Sequence, residues 1–146
     1  MVLARRDDVR LCRECVDALA ARLGVTSTPT LPVVEIAAAV SFYERAGFDV
    51  RIYRDANGDP GEGFAFVEYE NVSVFDLGAT DVTSVTNRAG CYLAVPDADA
   101  WHARLTAAGV DVTVIEDEPW GMREFAFADP SGNRIRVGHG ISYDAG

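Results

Sequence analysis

The sequence predicts an α+β fold made of two tandem βαβββ modules, preceded by a helical appendage. Two observations carry that prediction. Ala46-Gly47-Phe48-Asp49-Val50 returns 62 positions later as Ala108-Gly109-Val110-Asp111-Val112, and Phe64-Ala65-Phe66 returns 61 positions later as Phe125-Ala126-Phe127. Landmarks that keep nearly one offset, each in a similar local pattern, indicate a duplicated supersecondary unit. Elements read separately in each half then come out in the same order.

Residues 8–23 have helical spacing, with Val9, Cys12, Val16, Leu19 and Leu23 near one face and Gly24 as a stop. Residues 1–27 are therefore assigned to the appendage and 28–146 to the duplicated domain, with modules at 28–79 and 89–140. The first module opens with a short strand, Leu31–Val34, where Pro32 argues for an edge. A helix over 37–46 turns Val40, Tyr43 and Ala46 inward and ends at Gly47. Strands are predicted at Asp49–Tyr53, Phe64–Tyr69 and Val72–Leu77, with Arg54–Gly63 as a loop. The second module predicts a strand at Cys91–Val95, then a helix capped by Asp97 or Asp99 and running to Ala108, with Trp101 and Leu105 inward. Val110–Ile115 is the next strand and Glu116–Pro119 an acidic turn. Met122–Ala128 and Arg134–Gly138 form a hairpin around Asp129-Pro130-Ser131-Gly132-Asn133, where Pro and Gly suit the turn positions they occupy.

Composition narrows the function. The chain has 146 residues, 49% of them hydrophobic, enough for a substantial core. A net charge of -10 disfavours nucleic-acid binding, which needs clustered Lys and Arg, and suits a cationic ligand. No apolar run approaches the ~20 residues of a membrane span. No signal-peptide pattern is visible, so the expected location is the cytoplasm. Of the three cysteines, Cys12 and Cys15 form a CxxC that reads either as two thiols on a helix or as half of an intersubunit zinc knuckle. No nucleophile elbow, phosphate loop or dinucleotide fingerprint is present.

The segment from Pro119 to Val137, PWGMREFAFADPSGNRIRV, closely resembles the last hairpin of the vicinal oxygen chelate superfamily. That superfamily holds glyoxalases, extradiol dioxygenases, fosfomycin-modifying enzymes and bleomycin-resistance proteins. Val40–Phe48 resembles its first helix, and the resemblance covers about residues 30–140. It implies a cup of curled sheet and, as in many members, a homodimer. Metal-binding members place a His on the first strand and a Glu on the last strand of each module. Here the resemblance maps the Glu positions to Arg136 and Phe75 and the His positions near Thr28 and Gly90. Neither Arg136 nor Phe75 can donate to a metal, so no metal and no cofactor are expected. The pattern then resembles the bleomycin-resistance branch, whose members hold a drug without changing it. The appendage is a departure from those short proteins.

The hairpin also predicts which side chains line the cup. With Phe127 opposite Ile135 and Phe125 opposite Val137, those residues share the face packed under the helices. Trp120, Met122, Glu124 and Ala126 take the other face with Arg134 and Arg136. By the repeat offset, Ala65, Val67, Ser73 and Phe75 face the cup in the first module, and Tyr92 joins from the central strand. The expected ligand-binding residues are Val67, Ser73, Phe75, Tyr92, Trp120, Met122, Glu124 and Arg136, with none catalytic. Phe75 is equally suited to filling a closed cup, and Glu124 with Arg136 to a simple cross-strand ion pair. His102 fits a solvated helix surface. The function expected is binding and sequestration of an aromatic, cationic antibiotic. The alternative is a lyase, isomerase or dioxygenase with a displaced or metal-free site, such as Glu124 with Tyr92. A third reading makes residues 1–27 an interaction helix.

Overall fold

A computed structural model describes residues 27–141. The predicted N-terminal helix and the Cys12–Cys15 pair lie outside the described residues. The first module comprises β1 (Thr30–Val33), α1 (Ile36–Arg45), β2 (Asp49–Arg54), β3 (Pro60–Tyr69) and β4 (Val72–Ala79). The second comprises β5 (Gly90–Ala94), α2 (Ala98–Ala107), β6 (Glu116–Glu118), β7 (Met122–Ala128) and β8 (Arg134–Gly140). The strands form two four-stranded sheets of matching order, β1-β4-β3-β2 and β5-β8-β7-β6. In each, the first strand runs parallel to the last and the other pairs are antiparallel. The predicted βαβββ order therefore holds in both halves. Among the described residues no helix is long and apolar enough to cross a membrane.

Two local expectations differ. The predicted loop after Arg54 is a tight turn, and β3 already begins at Pro60. Asp55 Oδ1 accepts from the backbone N–H groups of Asn57 at 2.8 Å and Asp59 at 3.0 Å, which closes the turn early. Further along, Val110–Ile115 is not a continuous strand. The Thr113 hydroxyl, instead of a backbone carbonyl, accepts the Ala126 N–H at 2.9 Å, so the ladder is interrupted. It resumes at Glu116–Glu118, where a turn was expected.

Both helices and the helix-bearing faces of both sheets share one core. Tyr43 of α1 meets Phe75 of β4 edge-on at 5.0 Å, Phe48 lies 5.8 Å from Trp101, and Phe42 lies 6.2 Å from Phe127. A buried polar knot ties the modules together. Asp129 accepts the Tyr43 hydroxyl at 2.8 Å, and Asn133 donates to Asp129 at 2.8 Å and to the Pro32 carbonyl at 2.7 Å. Asn87, from the linker, donates to Asn133 Oδ1 at 2.8 Å and to the Ser131 carbonyl at 2.9 Å. The Ser131 hydroxyl accepts the Val34 N–H at 2.9 Å. The Asp129–Asn133 turn is thus a structural clasp between the halves, with every polar atom named here satisfied.

The inner face of the first sheet corrects the predicted cup. Ala65, Val67 and Phe75 are 0% exposed and lie in the core against α1. The misplacement comes from the Phe-Ala-Phe echo. Val67 pairs with Phe75 as Phe127 pairs with Ile135, and Ala65 pairs with Leu77 as Phe125 pairs with Val137. The structural offset in these strands is 60 positions, not 61, and a slip of one residue moves every side chain to the opposite face. The open face of the first sheet carries Phe64, Phe66 and Asp76 instead. Ser73 is exposed, opposite Glu68 and next to a bulge that breaks the β3–β4 register.

Candidate ligand-binding face

On the second module the predicted side chains converge on Glu124. Alternation along β7 puts Phe125 and Phe127 in the core and leaves Glu124 and Ala126 on the other face. Glu124 is 7% exposed and accepts three donors. The Tyr92 hydroxyl donates at 3.1 Å, the Trp120 indole N–H at 3.4 Å, and Arg136 through Nε at 3.2 Å and through Nη2. Arg136 sits beside Tyr92 in the β5–β8 register, with its guanidinium 5.0 Å from the Tyr92 ring centroid. Gly138, opposite Glu124, makes the Tyr92 contact possible. A Cβ there would collide with the Tyr92 hydroxyl and stand 2.9 Å from Glu124 Cβ.

These contacts set the electrostatics. Burial would push the Glu124 carboxyl up, but hydrogen bonds from Arg136, Tyr92 and Trp120 outweigh it and hold the group below its ordinary value. Burial first, then the hydrogen bond to Glu124, raises the Tyr92 phenol. The Glu124 hydrogen bond raises the Arg136 guanidinium further, with the charge of Glu118 adding to it. At neutral pH the cluster is a carboxylate, a guanidinium and a neutral phenol. A carboxylate holding three donors is a poor proton acceptor, and a phenol shifted upward is a poor acid. The arrangement is suited to holding a ligand rather than to moving a proton.

The surroundings offer room. Beside Glu124, Glu116, Glu118, Ala126, Arg134 and Arg136 line a cleft of about 270 Å³. Thr113, Ala126 and Arg134 continue it into an open trough of about 590 Å³, walled by Ser84, Asn87 and Arg88 of the linker and by Val112 and Phe127. Trp120 stands at the other end of Glu124 and is 61% exposed. An exposed indole beside a polar cleft has the flat apolar face and the polar neighbours that suit stacking on a planar group. Met122 lies two residues before Glu124, opposite Gly140. Tyr92 and Ser73 line a separate groove of about 470 Å³ at the junction of the modules, with Tyr69, Val74, Leu93 and Trp101.

Of the predicted residues, then, Tyr92, Trp120, Glu124 and Arg136 come together and Met122 is adjacent. Ser73 is apart from the Glu124 contacts. Phe75 and Val67 belong to the core. His102 is half-buried at the helix surface, where its ring packs edge-on to Phe125 at 5.0 Å and its Nε2 lies 3.0 Å from the Thr113 carbonyl. His139 Nδ1 accepts the Ala98 N–H at 2.9 Å and helps cap α2.

The metal positions can be restated from the strand register. Tyr92 neighbours Arg136 in the second sheet, and Thr30 neighbours Asp76 in the first. The counterpart of Arg136 is therefore Asp76, not Phe75. This set holds one carboxylate, one hydroxyl, one phenol and one guanidinium. It contains no imidazole, and its cation is already bound to Glu124. The residues do not fit a divalent metal site, and among the described residues no cluster of three His, Cys, Asp or Glu side chains is placed to hold one. The sequence echo, at 61 positions, points one residue away from Asp76, since the strands match at 60. Alternation carried through the Glu70-Asn71 turn misses it too, because the bulge between Val67 and Glu68 shifts the β3–β4 pairing by one residue.

A family model described as Glyoxalase/Bleomycin resistance protein/Dioxygenase superfamily matches residues 23–137. Among solved structures, a bleomycin-binding protein from bleomycin-producing Streptomyces verticillus, complexed with copper(II)-bleomycin, is 25% identical. The match covers 82% of this chain and 97% of that one, with a TM-score of 0.63. An antibiotic binding protein from Streptomyces sp. CB03234 is 27% identical over 80% of this chain and 97% of that one, with a TM-score of 0.59. A bleomycin-binding protein complexed with bleomycin superposes with a TM-score of 0.66 at 22% identity, covering 79% of this chain and 98% of that one. No curated protein matches the chain.

Proposed function

Because the chain belongs to the glyoxalase/bleomycin resistance protein/dioxygenase superfamily, we propose that it is a cytoplasmic antibiotic-binding protein that protects by sequestration, without a metal and without chemical change to the ligand. The observation that carries this reading is the exposed Trp120 held against the buried Glu124, which Arg136 and Tyr92 also contact, beside a cleft that opens into a wider trough. The indole and the trough would cover the faces of a flat ligand, while Arg136 and the nearby glutamates take its polar groups. Solved structures of similar fold that carry bleomycin or are described as antibiotic binding support the same assignment. The catalytic rival needs Glu124 and Tyr92 as a base and an acid, and their surroundings shift both groups the wrong way for that work.

The binding unit in this reading is a homodimer. β1 and β5 are edge strands, and both open faces carry exposed aromatic groups, Tyr53 on one and Tyr92 with Trp120 on the other. Pairing two copies would cover edges and faces together and enclose the ligand between chains. The deciding experiment titrates bleomycin and a panel of polycyclic antibiotics against tryptophan fluorescence, with mass analysis of the recovered compound. Saturable quenching with unaltered compound is expected. A chemically changed product would move the protein to the enzyme class.

A further inference from the structure

The open face of the first module carries a row of side chains separate from the cluster at Glu124. One row crosses the sheet in register: Thr30 on β1, Asp76 on β4, Phe66 on β3 and Arg51 on β2. Phe64 meets Phe66 edge-on at 5.3 Å, and Tyr53 lies 6.4 Å from Phe66. Asp76 Oδ1 is buried and has no hydrogen-bond partner among the described residues. Buried carboxylate oxygens are nearly always paired, and an unpaired one beside aromatic rings is costly. Its burial raises the carboxyl, and only the field of Arg51 pulls it back.

Arg51 indicates what the face accepts. Its guanidinium lies 4.4 Å from the Phe66 ring centroid. It is held there loosely, by Glu68 at 3.5 Å, with 64% of its side chain exposed. A flat cation thus already occupies the ring, on a long arm that can swing away. A ligand with a positive, hydrogen-bond-donating group would satisfy Asp76 while its apolar body covers Phe64 and Phe66. A neutral ligand would bury the carboxylate further without compensation, and an anion would be repelled.

We propose that this face is a cation-selective subsite, in which Asp76 takes the amidinium or protonated amine of a flat aromatic ligand over Phe64 and Phe66, and Arg51 is the internal competitor that the ligand displaces. The proposal rests on the reading that the open faces take up ligand, and it names the chemical class. Its test is separate from antibiotic uptake. The full chain, labelled with nitrogen-15, is titrated with benzamidinium and with neutral benzamide, following backbone amide shifts. Benzamidinium should shift the amides of Thr30, Phe64, Phe66 and Asp76, and bind about fivefold or more tighter than benzamide. Asp76→Asn should bring the two affinities together without weakening benzamide. Arg51→Gln should tighten benzamidinium by about three- to tenfold, because the competitor is gone. A cation preference that survives Asp76→Asn overturns the proposal, as do shifts confined to Glu124 and Arg136. It is also overturned if the probe leaves these amides unmoved while Asp76→Asn changes the sedimentation of the protein, since the face is then covered by a second copy. Loss of antibiotic uptake with an intact benzamidinium response sinks only the sequestration reading, and the converse sinks only this one.

Discussion

The Tyr43 hydroxyl donates to Asp129 Oδ2 at 2.8 Å, across 86 positions of chain. Tyr43 is 0% exposed and Asp129 5% exposed, so this bond joins α1 to the second module's turn with little help from water. Tyr43→Phe should cost about 1.5–3 kcal/mol, the usual worth of a hydrogen bond to a carboxylate. Burial, and then the Asp129 charge, push the Tyr43 phenol far above its ordinary value of 10.0. The folded state then keeps a proton that the unfolded chain releases. The stabilisation is complete below about pH 10 and is lost as the pH rises beyond it, by about 1.4 kcal/mol per pH unit. Urea melts between pH 8 and 11 should show this alkaline slope, reduced by one proton in Tyr43→Phe. An unchanged slope would mean that Tyr43 is not the group responsible.

Phe75 and Trp120 should separate stability from binding. Phe75 is 0% exposed and packs on Tyr43 and Phe48, so Phe75→Ala should cost about 3–5 kcal/mol. Trp120 is 61% exposed, and Trp120→Ala should change stability little while weakening the antibiotic about tenfold or more. Denaturant midpoints and fluorescence-independent titration calorimetry decide both. A stable Phe75→Ala with lost binding would return Phe75 to the ligand face.

That contrast also marks how far the sequence could be read. The element order, both inward helix faces and the Phe125–Val137 and Phe127–Ile135 pairs were legible, because alternation and turn chemistry act locally. The first module's open face was not. Gly47 and Gly109 end their helices 62 positions apart, while the β3–β4 strands match at 60. Both offsets are even and preserve the face. The Phe-Ala-Phe echo at 61 is odd and inverts it. Its aromatic residues lie differently in the two halves, on the open face of the sheet at Phe64 and Phe66 and in the core at Phe125 and Phe127. Local sequence marks Asp129–Asn133 only as a hairpin turn, since its partners Tyr43, Pro32 and Asn87 are set by tertiary packing. The same distance hides the Trp120–Glu124–Tyr92 contacts from any local pattern.

Acid should loosen the second module through Glu124. Its carboxyl is held below the ordinary 4.5, because the bonds from Arg136, Tyr92 and Trp120 outweigh burial. The unfolded chain therefore takes up this proton at a higher pH than the folded one. The stability it contributes is present above about pH 4.5 and is lost as the pH falls through the lowered value. Glu124→Gln should flatten that acid limb by up to one proton and abolish the pH dependence of Trp120 fluorescence below pH 4.5. A Glu124→Gln protein with the parent's acid limb would assign the proton elsewhere.

Gly138 tests whether the cluster is positioned by backbone space. Its place on β8 is opposite Glu124 and beside Ala94, and the Tyr92 hydroxyl occupies the volume that a side chain would fill. The Arg123 carbonyl, 3.0 Å from an added Cβ, blocks retreat on the other side. Gly138→Ala must therefore move Tyr92, because the phenol ring can turn while the β7–β8 ladder is fixed by hydrogen bonds on both strands. Once displaced, the phenol no longer donates to Glu124, and its ring no longer lies under the Arg136 guanidinium. Overpacking of this kind costs about 1–3 kcal/mol. The sharper signature is in titration. Without the Glu124 bond and with less burial, the Tyr92 phenol should titrate closer to its ordinary value of 10.0, from which the parent's is raised. Tyr92→Phe should remove the same phenol from the titration without the steric loss. Ultraviolet titration of the tyrosines in the parent, Gly138→Ala and Tyr92→Phe proteins isolates this group by difference. If Gly138→Ala leaves the Tyr92 titration where it was, the glycine does not hold the cluster, and the contact between Tyr92 and Glu124 depends on the side chains alone.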